Sequence, residues 1–435
     1  MMQVLLEPWI RNWDEAWYAE IIKNMAVGNY GWLMSRWNGE YYFDHPPLYF
    51  WLSGLVVKLF GLGEWQIRIV SILAGLGVVG LTYLLGKKLF NRRTGIGASL
   101  VLVSIAQVGV RFSHGNLDSL MIFWFLLTFY WWLEGKTKLS GVALGLGFLV
   151  KGWLLGLWPM GLIGAYELIV KRRLPIGRLA AVIGIGAGVF GVWAIPAAIE
   201  FGQPMVDRYL WAAAAGRLAS PGQVFSLKFF EYLIRDLGLW VIAGLILVLR
   251  PKMVEANKRR TVVALGLVSF GFIFGLNFST EKSDWYILPA YPLLALVIGY
   301  LTSRWNKVIV GILVIAGLIN AYRVEMIYPD RSRVGAELGR YAKSIIPRGE
   351  TVVLDDHDFT AFLFYSNVGM VHVPSPSGGK PGEWWTLRYD RLPELVKEKG
   401  EVWIVTADKS RLPQEITRAE EIAQYGDYSF LKTSF

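Results

Sequence analysis

The chain has no cysteine among its 435 residues, which excludes disulfides and thiol chemistry while remaining compatible with an oxidising compartment. Charge is scarce: Asp, Glu, Lys and Arg make up 18% of the sequence, below the roughly 25% of an ordinary soluble domain. No basic stripe interleaved with aromatics argues for RNA or DNA, so no nucleic-acid partner is expected. The only Gly-rich loop, "PSPSGGKPG" at 374–382, lacks the preceding strand and following helix that a phosphate-binding loop needs. No internal repeat is visible.

Apolar sequence takes the place of charge. Hydrophobic residues reach 54% and the mean hydropathy is +0.40. Runs near bilayer length recur at 66–86, 94–111, 117–134, 141–150 continuing to the Gly152 turn, 152–170, 176–199, 231–249, 261–278, 286–303 and 308–324. About ten spans are thus expected, an α-helical polytopic membrane protein rather than a barrel. The 20 Trp and 20 Tyr flank many of these runs, as interfacial belts require.

Alternate loops differ in charge. One set carries Lys87, Lys88, Arg92, Arg93, Lys136, Lys138, Lys171, Arg172, Arg173, Arg178, Arg250, Lys252, Lys258, Arg259, Arg260, Arg304 and Lys307. The other holds only Arg111, Lys151, Arg208, Arg217, Lys228 and Lys282 near the membrane. The positive-inside rule makes the first set cytoplasmic, so the formal net charge of +10 is mostly topogenic. Residues 1–65 and 326–435 then lie outside the cytoplasm, with 66–325 as the membrane domain of a multi-pass plasma (inner) membrane protein. "PPLYFWLSGLVVKLFG" at 46–61 is too short to span comfortably and reads as an interfacial helix. No span or signal peptide precedes residue 12; either the N-terminus crosses unaided or a first transmembrane helix is missing.

From about residue 330 the pattern changes to alternating α and β: an amphipathic helix at "RSRVGAELGRYAKSIIP", strands at "TVVLDD", "VGMVHVP" and "EVWIVTAD", and helices at "FTAFLFYSN" and "DRLPELVKEKG". This predicts a small extracytoplasmic α/β domain. Asp355, Asp356, His357 and Asp358 after a strand read first as a turn and helix cap, with a metal site as the rarer alternative.

Near the N-terminus "NWDEAWYAEIIKNM" sets Asp14 and Glu15 ahead of a helical pattern with Tyr18, Ile21, Ile22 and Met25 on one face. Acids at a helix start suit the dipole and need no further role. On the same side of the membrane, however, lie Asp44 and His45; Arg111, His114 and Asp118; Lys151; Arg208 and Arg217; and Lys282, Asp284 and Tyr286. Each fits an interfacial ion pair. Together they form an electrostatic set with acids able to take a proton and cations able to hold a phosphate. With no nucleotide supply expected outside the cytoplasm, a transferase there needs a donor already energised, most simply on a lipid phosphate.

Five elements in order, "WDEAWYAEIIKNM", "GEYYFDHPPLYFW", "NLDSLMIFW", "LVKGWLLGLWP" and "EKSDWYILPAYPLLAL", resemble membrane glycosyltransferases of the GT-C type, especially the aminoarabinose-transferase-like and protein O-mannosyltransferase-like groups. The resemblance implies sugar transfer, with inversion, from a polyprenyl-phosphate-sugar donor to a hydroxyl of a glycolipid (lipid A-like) or protein acceptor outside the cytoplasm. It implies Asp14 as base, Asp118 as its positioning partner or a sugar contact, and Glu15 balanced between structural and functional roles. Lys151, Arg217, Lys282 and His45 are the candidates for the phosphate, and Tyr42 and Tyr286 for hydrogen bonds to it or to the sugar. Three features depart from the family: His45 stands where a Lys precedes Pro-Pro, "WAAAAGRLAS" at 211–220 offers Ala where a His often stands, and the family's first transmembrane helix has no counterpart. A divalent metal stays open, with Asp44 as a single candidate ligand. The alternatives are an oligosaccharyltransferase-like enzyme, whose Asp-x-Asp motif is missing from the membrane loops, a transporter, and a non-enzymatic assembly protein.

Overall fold

The computed structural model describes all residues except 1–8, 29, 213–224, 250, 328–331, 357, 380–382, 415, 417–418 and 435. The chain is an α-helical multi-pass membrane protein with a mixed-sheet domain at its C-terminal end. Among the described residues five helices are long and apolar enough to cross a bilayer: Glu64–Leu89, Ile176–Tyr209, Ala256–Leu276, Asp284–Thr302 and Lys307–Val324. The other apolar runs are shorter or broken. The run at 94–111 splits at Ser104 into Arg92–Val103 and Ala106–Arg111, and that at 231–249 splits at Gly238, whose φ is +54°.

Helices are labelled in chain order. They are α1 (Asp14–Ala26), α2 (Leu48–Phe60), α3 (Glu64–Leu89), α4 (Arg92–Val103), α5 (Ala106–Arg111), α6 (Asp118–Leu133), α7 (Thr137–Lys151), α8 (Leu157–Ala165) and α9 (Ile176–Val206). There follow α10 (Lys228–Leu237), α11 (Trp240–Leu249), α12 (Ala256–Leu276), α13 (Tyr291–Thr302) and α14 (Lys307–Ile327). A hairpin, β1 (Ser35–Trp37) and β2 (Glu40–Tyr42), sits between α1 and α2. Helix α4 lies between α3 and α13 at backbone contact. A Cβ on Gly86 would stand 2.7 Å from the Gly95 Cα, and one on Gly299 would stand 2.4 Å from the Ala98 nitrogen. Small residues at such crossings let apolar helices gain dispersion contact where lipid offers no hydrophobic driving force.

The basic loops also meet one another in space. Lys88 at the end of α3 pairs with Glu134 after α6 at 2.5 Å, and Lys258 donates to the Leu89 carbonyl at 2.9 Å. Arg178 donates to the Trp132 carbonyl at 2.6 Å. Asp118 and Lys151, at the other ends of α6 and α7, meet Asp14 of α1 and Arg111 of α5 instead.

The C-terminal part contains α15 (Ser332–Ile345), β3 (Thr351–Leu354), α16 (Phe359–Ser366), β4 (Met370–Ser375), β5 (Thr386–Arg388), α17 (Leu392–Lys399), β6 (Glu401–Thr406), β7 (Glu420–Tyr425) and β8 (Tyr428–Ser434). Their sheet order is β5-β4-β3-β6-β8-β7. The β3–β4, β3–β6 and β4–β5 pairings are parallel. The β7–β8 hairpin adds antiparallel strands onto β6. Val352, Val353, Leu354, Val402, Ile404 and Val405 are fully buried between its faces.

This domain packs on the segment that opens the chain. Asn38 donates to the Val371 carbonyl at 2.9 Å and accepts from the Val371 amide at 2.7 Å. Lys23 donates to the Phe364 carbonyl at 2.7 Å, and Tyr365 donates to Glu64 at 2.8 Å. Polar groups on both sides are therefore satisfied across the contact.

Candidate active site

The turn between α5 and α6 is built around Asn116. Its Oδ1 accepts from the amides of Asp118 (2.9 Å) and Ser119 (3.3 Å), and its Nδ2 donates to the carbonyls of Arg111 and His114. Asn116 thereby caps α6 and ties its first residue to the last residue of α5. Arg111 and Asp118 are brought side by side, and α1 supplies Asp14 to the same point.

Four charges then form one line. Arg111 Nη2 donates to Asp14 Oδ2 at 2.8 Å and to Asp118 Oδ2 at 3.0 Å, while Lys151 donates to Asp118 Oδ1. Asp118, with 4% of its side chain exposed, holds both cations. The Arg111 guanidinium also lies over the Trp285 ring, 4.5 Å from its centroid. Asp14 keeps 29% of its side chain exposed, and its second oxygen has no partner among the described residues.

Two cavities adjoin this line. The larger, about 370 Å³, is walled by Met121, Leu154, Trp158, Phe272 and Leu276, with Asp44, Asp118, Lys151 and Tyr286 also in its lining. The smaller, about 250 Å³, is lined by Trp13, Asp14, Trp17, Tyr18, Tyr42, Asp44, His45, Lys151, Trp285 and Tyr286 among others. Asp44, Lys151 and Tyr286 belong to both. An apolar compartment and a polar compartment thus meet at one lysine.

Glu15, adjacent to Asp14, points elsewhere. It is buried at 3% exposure and accepts from Arg68 Nε (2.8 Å) and Nη2 (3.0 Å), the Gly115 amide (2.7 Å) and the Arg11 amide (2.9 Å). Burial by itself would raise its pKa, but the Arg68 guanidinium outweighs this and holds the carboxyl down at about 2. Burial pushes the pKa of His114 down, to about 3, against the pull of Glu15.

The remaining expected residues divide. His45 and Tyr42 line the polar compartment, their rings 6.0 Å apart in a T-shaped contact. Tyr286 donates to Glu281 at 2.7 Å where the compartments join. Lys282 lines neither compartment. It donates to the Asn277 carbonyl at 2.6 Å and lines a third cavity together with Arg111, Asp284 and Trp285. Arg217 lies outside the described residues, as does most of "WAAAAGRLAS". Asp44 accepts from Arg208 Nε at 2.9 Å, and among the described residues no three His, Asp or Glu converge as metal ligands. The donor set does not fit a metal at Asp44. In the sheet domain Asp355 accepts from Tyr389 and Thr406, Asp356 from Tyr428 and the Asp358 amide, and Asp358 from Asn12. These are the bonds of a turn and its neighbours; His357 lies outside the described residues.

Trp13, immediately before Asp14, was not singled out by the sequence. Its φ is +64°, a conformation that costs a non-glycine residue about 1–3 kcal/mol, and its side chain is 53% exposed in the wall of the polar compartment.

Residues 44–195 match the family described as dolichyl-phosphate-mannose-protein mannosyltransferase. An undecaprenyl phosphate-alpha-4-amino-4-deoxy-L-arabinose arabinosyl transferase of Pseudomonas savastanoi pv. phaseolicola is 29% identical over 327 residues, 71% of this chain and 60% of that protein. The chain spans little more than half the length of the curated relatives it matches. The crystal structure of ArnT from Cupriavidus metallidurans bound to undecaprenyl phosphate superposes with a TM-score of 0.79, at 17% identity, over 99% of this chain and 95% of that one. This chain has the fold of ArnT. The oligosaccharyltransferase of Archaeoglobus fulgidus superposes more loosely, with a TM-score of 0.53 at 10% identity over 92% of this chain and 67% of that one. The GT-C resemblance drawn from the five motifs is borne out. The stretch matched to the mannosyltransferase family carries Asp44, His45, Arg111, Asp118 and Lys151, whereas Asp14 lies upstream of it.

Proposed function

We propose that the chain is a membrane glycosyltransferase that moves a sugar from a polyprenyl-phosphate carrier to a hydroxyl of a glycolipid or protein acceptor, inverting the anomeric centre. The observation that carries this reading is the junction of the two compartments. A lipid-phosphate-sugar has an apolar tail, one anionic group and a polar head. The apolar compartment, Lys151 shared by both compartments and the polar compartment beside Asp14 match those three parts. The undecaprenyl phosphate bound to a protein of the same fold supports the same donor class.

In the reaction the acceptor hydroxyl gives its proton to Asp14 as its oxygen bonds to the anomeric carbon. The bond from that carbon to the phosphate oxygen breaks, and the carrier leaves as the lipid phosphate. Phosphate is a good leaving group, so no acid is required; Lys151, with Arg208 at the Asp44 side, stabilises the charge that develops on it. Asp118 orients Lys151 and Arg111, and Arg111 in turn fixes the carboxylate of Asp14.

Lys151→Ala tests the junction. It is expected to weaken undecaprenyl phosphate binding by about 10- to 100-fold, since a charge-assisted hydrogen bond contributes about 1.5–3 kcal/mol. Affinity measured with the purified protein in nanodiscs checks it, and unchanged binding would remove Lys151 from the phosphate site.

Residues 1–65 and 326–435 are assigned to the extracytoplasmic side, with 66–325 in the bilayer, on the strength of the basic loops. The cysteine-free sequence makes this directly testable. In intact cells a membrane-impermeant maleimide is expected to label Ser377→Cys in the sheet domain and not Arg93→Cys in a basic loop; the reverse pattern inverts the orientation.

A further inference from the structure

We infer that Trp13 is a sugar-binding residue whose indole forms a stacking wall for the sugar of the lipid-linked donor, held in place by the C-terminal domain. The inference rests on the donor class proposed above. Trp13 stands beside Asp14 in the wall of the polar compartment, with Trp17, Tyr18 and Tyr42 also lining it. A large apolar ring kept 53% exposed at such a point, on a backbone at φ +64°, is a costly arrangement that the surroundings must over-determine.

The surroundings do so, and nearly all of them come from the far end of the sequence. The Trp13 amide donates to Thr360 Oγ1 at 2.8 Å. Its neighbour Asn12 is clamped on both sides of the side chain, donating to Asp358 at 2.5 Å and accepting from the Ala361 amide at 3.0 Å and Thr360 Oγ1 at 3.2 Å. The Asn12 amide donates to Ser332 Oγ at 2.7 Å. The Phe359 ring meets the Trp13 ring edge-on, centroids 5.6 Å apart. One edge of the sheet domain is therefore a built cradle for residues 12 and 13, and the residue it aims at the compartment is an aromatic.

The chemistry of a sugar ring explains the choice. Its C–H faces are apolar and its rim is a ring of hydroxyls, so an indole can cover a face while polar groups reach the edge. Asp14 follows Trp13 directly, so the same cradle sets the distance between the stacked sugar and the carboxylate.

The test uses the purified full chain in nanodiscs and three probes: undecaprenyl phosphate alone, and the same carrier bearing 4-amino-4-deoxy-L-arabinose or mannose. The wild type is expected to bind at least one sugar-bearing probe more tightly than the bare carrier. Trp13→Gly is expected to lose that difference, a drop of about tenfold for the sugar-bearing probe, with bare-carrier affinity unchanged. Its Tm should equal or exceed that of the wild type, because glycine takes φ +64° without strain. Trp13→Phe should retain most of the preference, and Thr360→Val should reduce it by releasing the cradle. A Trp13→Gly protein that still prefers the sugar-bearing probe, or that weakens all probes equally, overturns the assignment and makes Trp13 a membrane-facing or packing residue. A wild type that binds carrier with and without sugar equally overturns it while leaving the lipid-phosphate site standing. A wild type that binds none of the probes overturns the donor class itself.

Discussion

Asp14→Asn is expected to lower sugar transfer by about 10²–10⁴-fold while leaving donor binding and folding near normal. The side chain keeps its size and can still accept from Arg111, which Asp118 also holds at 3.0 Å, so the ionic line stays assembled. What is lost is a proton acceptor at the one carboxylate of that line with an oxygen unengaged by the described residues. Asp118 offers no substitute, since Arg111 and Lys151 occupy its two oxygens. Single-turnover transfer from a polyprenyl-linked sugar to a cell-envelope acceptor, read beside donor affinity, separates the two effects. An Asp14→Asn protein with near-normal turnover would falsify the assignment of the base and leave Asp14 as a helix-opening residue.

Glu15, its neighbour, is expected to behave in the opposite way. It and Arg68 are buried at 3% and 0% exposure and bound by two hydrogen bonds. Removing one partner strands the other charge, which costs about 3–5 kcal/mol. Glu15→Ala should therefore lower the melting temperature sharply, and any fall in transfer should track the fraction of folded protein. The double replacement Glu15→Leu with Arg68→Met should recover part of that loss, because an apolar pair needs no desolvation, while the Gly115 and Arg11 amides lose their acceptor. The sign of the pH dependence follows from the depressed pKa. The carboxyl sits at about 2 when folded against an ordinary 4.5, so this pair stabilises the protein fully above pH 4.5. That contribution is lost as pH falls through the interval toward 2. Thermal melts of wild type and the double replacement across this interval check it; wild-type stability falling no faster than that of the double replacement would contradict the pairing.

The two acids of "WDEAW" illustrate how far a linear reading reaches. Their position at a helix start was legible, because Tyr18, Ile21, Ile22 and Met25 mark one buried face. Their division of labour was not. It depends on Arg68, 53 positions away, and on Arg111, 97 positions away, and nothing in the pattern around residue 14 specifies which cation each acid meets. Arg68 did carry a signal, as a charge inside an apolar span, but only a fold reveals its partner. Other signals were present and unused. "WNGEYY" holds the Asn-Gly pair of a two-residue hairpin, and Asn38 and Gly39 do take positive φ of 47° and 82° between β1 and β2. Lys282 shows the converse: its residue type fitted a phosphate, yet it lines a third cavity with Arg111 and Trp285 rather than either compartment that Lys151 lines.

What the sequence determined by itself is what repeats along it. Apolar runs, alternating basic loops and the αβ alternation after residue 330 are periodic signals, each set by neighbours a few residues apart, and they were enough for a helical membrane protein with a small mixed-sheet domain. The five ordered motifs added the resemblance to GT-C glycosyltransferases, carried by short stretches in a set order. Only the tertiary structure decided which charges touch, because an ion pair is fixed by convergence of distant elements rather than by local pattern. It alone joined an apolar and a polar compartment at Lys151. It alone brought Thr360 to the amide of Trp13, a contact across 347 positions that no period could announce, because hydrogen bonds of this kind depend on direction and distance in space.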